Sequence, residues 1–272
     1  MNRDIIYHYT GAEGLKGILD SKEVCLRMTD TRFLNDKEEI THGSQLVEAV
    51  INEYSNNAES TLPGIPTHTE FMSMILGSIA QKSFYSTSFS FETEQLSQWL
   101  SYCPQQGGYA IGFDKEKLKN HLNQTNHKIN FSPVNYVNSL NTLISQINSI
   151  KYNYNFVDLS NRVNRDMTMY DLVTKIEHVL ATSKQSYFKT ENEVRIYTTS
   201  APTEINDEIK FFTKGSVLTP YKPLYIPKDI VTQVIIGPMQ HQELASIALS
   251  EFKRINGYEF SIIKSNIPFR CF

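Results

Sequence analysis

Apolar and polar residues alternate with period two over Ile5–Thr10, with Ile5, Tyr7 and Tyr9 on one face and Ile6, His8 and Thr10 on the other, so the chain opens with a strand. Leu15, Ile18 and Leu19 follow at i, i+3 and i+4, the stripe of a short amphipathic helix. "VCLRMTD" reads as a second strand, then a loop turning at Asn35 and Asp36, then a helix from about Asp36 with acids in its first turn. Residues 56–69 hold two prolines and a glycine without periodicity, a surface loop before the apolar helix "FMSMILGSIAQ". Beyond it "SFYSTSFS" alternates like a strand, "TEQLSQWLSYC" has helical spacing, "PQQGG" is a turn, and "YAIGFD" is a buried strand ending in an aspartate.

Residues 138–186 differ in kind. They are rich in Asn and Tyr, with Leu and Ile at helical intervals, and predict two or three helices inserted between strands. The last third returns to strands at "EVRIYTTS", "EIKFFT", "SVLTPYKPLYI" and "TQVIIGP", followed by the helix "HQELASIALSEFKRI" and a closing strand in "EFSIIKS". With no internal repeat and no Pro-, Gly- or Ser-rich linker, the pattern predicts one α+β domain over residues 1–272.

Composition narrows the function classes. The formal net charge is −3, which gives no global field for nucleic acid or anionic lipid but allows a local basic groove. The three cysteines, Cys25, Cys103 and Cys271, are odd in number and widely spaced, as expected of free thiols in a reducing cytoplasm. No apolar run approaches the roughly 18 residues of a membrane span, and no signal-peptide pattern opens the chain. The P-loop, G-x-G-x-x-G, H-E-x-x-H, C-x-x-C and G-x-S-x-G patterns are all missing, and the histidines do not cluster with cysteines, so no metal is called for.

Three stretches carry candidate chemistry. In "TENEVRIYTTS" a continuous strand would put Glu191, Glu193 and Arg195 on one face, where two carboxylates repel unless a cation or hydroxyl lies between them; Arg195 is one such group, and a plain surface ion pair is the competing reading. A carboxylate fixed on a strand also suits glycosyl transfer, because it stabilises the positive charge that builds on a ribose as its N-glycosidic bond breaks. In "YHYTG", Thr10 and Glu13 match a helix-capping box, a purely structural role for Thr10, and His8 taken alone reads as a core histidine. Ser86, Ser88 and Ser90 share one face of the serine-rich strand, while Trp99 and Tyr102 share one side of the next helix, either as core aromatics or as a platform for a planar ring.

In this order, a "HYT" strand entering a helix, a Ser-rich strand before an aromatic-bearing helix, and a late Glu-x-Glu strand, the chain resembles the ADP-ribosyltransferase superfamily. Its opening is similar to those of RNA 2′-phosphotransferases and of bacterial DNA-modifying ADP-ribosyltransferase toxins. More closely, the chain resembles a bacterial family of unassigned function through "YHYT", "FLND", "SFS", "WLSY", "GGYAIGFD", "ENEVRIY" and "VIIGP". The resemblance implies a split β-sandwich with surrounding helices and a helical insertion at about 138–186, with NAD as substrate in the cleft between the sheets. It implies that His8 and Thr10 hold the adenosine ribose, that the Tyr9 backbone grips the carboxamide with Ser88 or Ser90, and that Trp99 or Tyr102 stacks on the nicotinamide ring, with Tyr85 a third choice. Of the two glutamates, Glu193 would hold the ribose 2′-hydroxyl and Glu191 would face the acceptor, though "ENE" leaves the catalytic one open.

The expected activity is ADP-ribose transfer to a nucleic-acid base or a protein side chain, as in a toxin or anti-phage effector with an antitoxin partner. A non-catalytic nucleotide- or protein-binding module on the same fold is the alternative. A 2′-phosphotransferase would need a basic pocket, for which the sequence shows no Arg and Lys cluster. Arg32, Asn35 and Asp36 belong to the closer family's pattern and are read as phosphate contacts or loop-shaping residues.

Overall fold

The alternation at the start of the chain forms the strand it predicts. In the computed structural model, which describes residues 4–34, 67–103, 107–125, 128–152, 160–200 and 208–268, the chain runs β1 (Ile5–Thr10), α1 (Ala12–Leu19), β2 (Val24–Asp30), α2 (His68–Ala80), β3 (Ser83–Ser90), α3 (Leu96–Tyr102), β4 (Tyr109–Asp114) and α4 (Lys115–Thr125). It continues through β5 (Asn130–Pro133), β6 (Asn135–Val137), α5 (Leu140–Tyr152), α6 (Arg162–Thr182), β7 (Ser183–Gln185), β8 (Glu193–Ser200), β9 (Lys210–Lys214), β10 (Val217–Ile226), β11 (Val231–Ile236), α7 (Gln242–Asn256) and β12 (Ser261–Lys264). Asn35, Asp36, the helix expected from Asp36, most of the 56–69 loop and Cys271 lie outside the described residues.

The architecture is mixed α/β with a mostly antiparallel sheet, in the order β12-β11-β4-β1-β3-β2-β10-β9, and β8 and β5 extend from the far edge of β3. The decisive feature is the near edge of β3, which two strands share. β1 pairs with its end at Tyr7↔Ser90, and β2 pairs with its middle at Thr29↔Ser86 and Asp30↔Tyr85. Between those contacts the sheet forks into two leaves, β1-β4-β11-β12 and β2-β10-β9. The opposite edge of β3 is paired along its whole length with β8, from Ser83↔Ser200 to Ser90↔Glu193, so the fork has a rigid back wall.

Packing follows the strand period. Ile6, Leu26, Phe89, Ile111, Val194 and Ile196 belong to the main core, and each such side chain contributes roughly 1.5–3 kcal/mol of burial. The opposite face of β3 and β8 is covered by α2, α5 and α6, which share a second core that includes Ile75, Leu76, Ile147, Leu172 and Ile176. A third cluster lies on the outer face of β1, where Tyr7 and Tyr9 pack with Trp99 and Ile235.

The structure corrects three local readings. Thr10 caps nothing: the residue ahead of α1 is Gly11, and no side chain caps that helix. Glu191 is not on the strand, because it ends a 3-10 turn over Ser186–Glu191 and is joined to β8 through Asn192 in the left-handed conformation at φ 45°. The helical segment stops at Thr182, and Ser183–Gln185 forms β7, paired in parallel with β6.

"VIIGP" has a packing explanation. A Cβ on Gly237 would stand 2.6 Å from the Trp99 indole and 2.9 Å from the Gly108 carbonyl oxygen, and the Gly237 N–H already donates to that oxygen at 2.8 Å. Neither neighbour is a flexible tip. Gly237→Ala is expected to cost about 1–3 kcal/mol and to lower the thermal midpoint by several degrees in a calorimetric scan; an unchanged midpoint would refute this close packing.

Candidate functional site

The fork between the leaves opens into a cavity of about 540 Å³, within the range of small-molecule sites. Its wall takes residues from three distant stretches: His8 and Thr10 from β1, Ser86–Ser90 from β3, and Glu191, Glu193 and Arg195 from the turn and start of β8. Tyr9 and Tyr102 also line it.

Strand geometry accounts for the position of His8. Ser86 and Ser90 face strand partners across the near edge of β3, whereas the Ser88 carbonyl, midway between them, points into the fork. His8 Nδ1–H donates to that carbonyl at 2.9 Å, doing for the backbone what a strand would do elsewhere. The ring lies edge-on to Phe89 with centroids 5.8 Å apart. Burial pushes the imidazole below its ordinary 6.5, and the Ser88 bond only partly opposes this, so the ring is neutral at neutral pH with Nε2 as its acceptor. Thr10 sits above Gly14, where a Cβ would come within 1.9 Å of its hydroxyl oxygen.

The carboxylates are bridged by a residue that the sequence reading did not single out. Lys184 Nζ, on β7, donates to Glu191 Oε2 at 2.8 Å and to Glu193 Oε2 at 3.0 Å. Arg195 adds Nε to Glu193 Oε1 at 2.6 Å and also donates to the Ala181 carbonyl at 3.1 Å. All four groups are buried. Burial alone would raise the Glu193 carboxyl; the Arg195 and Lys184 charges, with hydrogen bonds from Arg195 and Ser88, outweigh it and hold the pKa at about 2. Glu193 is therefore an anion throughout the physiological range. The left-handed Asn192 is what turns both glutamates onto one ammonium group, and the Glu193 N–H is fixed by the Tyr136 hydroxyl at 2.8 Å.

The remaining candidates divide by location. Ser90 is occupied by the scaffold: its hydroxyl donates to the Glu191 carbonyl at 2.6 Å and accepts from the Glu92 N–H at 3.0 Å. Ser86 and Thr87 also line the cavity, and the hydroxyls of both are buried with no hydrogen-bond partner. Trp99 is not brought to the cavity. It lies on the other face of β1, edge-on to Tyr9 with centroids 4.7 Å apart and 4 % exposed. Tyr102, three residues on, is 39 % exposed at the cavity rim. Tyr85 belongs to the main core, and Arg32 chelates buried Asp30 through Nε at 3.0 Å and Nη2 at 2.6 Å, a loop-shaping contact.

This separates the two aromatics experimentally. Tyr102→Ala is expected to weaken ligand binding about five-fold, roughly 1 kcal/mol, without moving the unfolding midpoint, whereas Trp99→Phe lowers stability by about 2 kcal/mol and leaves affinity unchanged. Calorimetry with paired melts reads both; the reverse pattern would return Trp99 to the site.

Four cations, Arg27, Lys184, Arg195 and Lys214, and two carboxylates line the cavity. No run of basic residues announced this cluster, because the four come from β2, β7, β8 and β9. With His8 neutral, the lining favours a ligand that combines anionic groups with a polar, hydroxyl-bearing portion. Among the described residues no group of His, Cys, Asp and Glu has the arrangement of a metal site, and no helix is long and apolar enough to cross a membrane.

Residues 98–196 match the family model DUF2971, described as a protein of unknown function. The matched span runs from α3 into β8 and takes in Lys184, Glu191, Glu193 and Arg195, while β1 and β3 lie outside it. The match provides no link to ADP-ribosyltransferases. No curated protein and no solved structure gives a match.

Proposed function

We propose that the protein is an NAD-dependent ADP-ribosyltransferase of split-sheet, ADP-ribosyltransferase-like fold that acts on a macromolecular acceptor. The observation that carries this reading is the meeting of His8, near the start of the chain, with Glu193, late in it, on the wall of one cavity at the fork of the sheet. The cavity's volume, its surplus of cations for a pyrophosphate, and the buried Ser86 hydroxyl that lacks a partner all fit a dinucleotide.

In this reading His8 Nε2 accepts from an adenosine ribose hydroxyl, with Thr10 beside it, and Ser86 and the Tyr9 backbone hold the carboxamide. The Ser88 hydroxyl is the neutral donor beside the two cations on Glu193, and in this reading a ribose 2′-hydroxyl takes its place there. The bond from the ribose C1′ to nicotinamide breaks with its electron pair leaving on nicotinamide, and the permanent negative charge of Glu193 stabilises the cation that develops. The acceptor's nucleophilic atom then bonds C1′ and gives up its proton. In this reading Glu191, which also lines the cavity, takes that proton and passes it to water.

The test is incubation with NAD labelled on its adenylate phosphate, with cell extract as the source of acceptor, followed by nuclease or protease digestion. Label retained on macromolecules together with released nicotinamide is the expected result. A reading as a non-catalytic receptor has support in the cationic grip on Glu193, and calorimetric binding of NAD without nicotinamide release would favour it instead. Neither binding nor turnover would end both readings.

A further inference from the structure

The wall of the cavity formed by β2 and β9 continues outward as a sheet face with its own chemistry. By strand register, Arg27 and Thr29 of β2, Tyr221 and Tyr225 of β10, and Lys210, Phe212 and Lys214 of β9 share one face, opposite the core residues Leu26, Met28 and Leu224. Arg27 lies against two rings of that face, 4.9 Å from the Phe212 centroid and 5.4 Å from that of Tyr221, and no carboxylate among the described residues pairs with it. Lys210 Nζ donates to the Tyr225 hydroxyl at 3.1 Å, and Tyr225 is 44 % exposed. Of the carboxylates on these three strands there is only Asp30, which is buried and held by Arg32. A chain with a net charge of −3 thus presents on these three strands a face without a carboxylate among the described residues, where cations alternate with aromatic rings, and Arg27, Phe212 and Lys214 carry that face directly into the cavity.

We propose that this β2–β10–β9 face binds single-stranded nucleic acid, with bases against Tyr221, Tyr225 and Phe212 and phosphates on Arg27, Lys210 and Lys214. The inference rests on the transferase reading and deepens it by naming the acceptor, since a strand held there runs into the cavity. Cations alone would serve any polyanion; it is the rings, Tyr225 exposed and Tyr221 and Phe212 half-buried, that select a ligand whose base faces are free to stack, which a duplex conceals.

The experiment needs no NAD, so its failure is distinct from failure of the transferase reading. Anisotropy of a fluorescein-labelled, mixed-sequence single-stranded oligonucleotide, as DNA and as RNA, is measured against the full chain from about 50 to 200 mM salt. Three phosphate contacts predict a slope of log K on log salt near −2. Lys210→Ala is expected to reduce that slope by about 0.7, and Tyr225→Ala to weaken binding several-fold at every salt without changing the slope. Neither residue lines the cavity. Tighter binding of DNA or of RNA identifies the acceptor's sugar. No binding, equal affinity for a duplex of the same sequence, displacement by polyglutamate as readily as by oligonucleotide, or variants that bind like the parent would each overturn the proposal.

Discussion

Glu193→Gln is expected to reduce nicotinamide release and label transfer by about a hundred-fold or more while NAD still binds. Removing a group aimed at charge that develops only in the transition state costs about 3–4 kcal/mol in comparable preorganised sites. Glutamine keeps the length and one acceptor oxygen but loses the anion, so the effect should appear in kcat far more than in KM. The substitution also leaves Arg195 and Lys184 short of a counter-charge, so its melt must be recorded. His8→Ala, which touches none of that ion cluster, is the second variant; it should weaken NAD binding without losing fold. Full turnover in Glu193→Gln with an intact melt would sink the proposed chemistry.

Lys184→Met should be strongly destabilising. Methionine fills the volume but leaves Glu191 and Glu193 buried without their shared ammonium, Arg195 still paired with Glu193; breaking a buried ion cluster from one side costs about 3–5 kcal/mol. The pH dependence gives the distinguishing signature. In the parent protein the Glu193 carboxyl sits at about 2 against an ordinary 4.5, so its contribution, on the order of 3 kcal/mol, is fully present above 4.5 and is lost as pH falls toward 2. Without Lys184 the folded-state value rises while the larger Arg195 contribution remains, so part of that acid-labile stability disappears. Urea unfolding across this window should give a shallower profile for the variant than for the parent; parallel profiles would show that Lys184 does not hold the carboxylates.

Where a local rule is strong, the chain states its own structure. The period-two alternation of Ile5–Thr10 and Ser83–Ser90 and the helical stripes after them are formed as read, because each needs only a neighbour to bury one face. Thr10 misleads because the S/T-x-x-E pattern would start the helix at Thr10, whereas the helix is entered one residue later at Gly11 and the strand keeps Thr10 in extended backbone. Glu191 misleads because nothing in "ENE" reveals that Asn192 is left-handed. Lys184 could not be found by spacing at all: its partners are Glu191 and Glu193, but what aims it is the pairing of β7 with β6, a three-residue match with no hydrophobic period. The basic lining is a product of topology, with one cation drawn from each of four strands. Trp99 and Tyr102, three apart on α3, looked like one platform, yet Gly237 and Tyr9 claim the first for packing.

The helical layer over β3 and β8 has a consequence for divergence. It owns a separate interior, built from α2, α5 and α6, and at its end it delivers the ammonium group that sits between the two glutamates. Substitutions in that interior are expected to act at a distance on the acidity of the carboxylate pair, through the position of Lys184, without touching the forked strands or the imidazole.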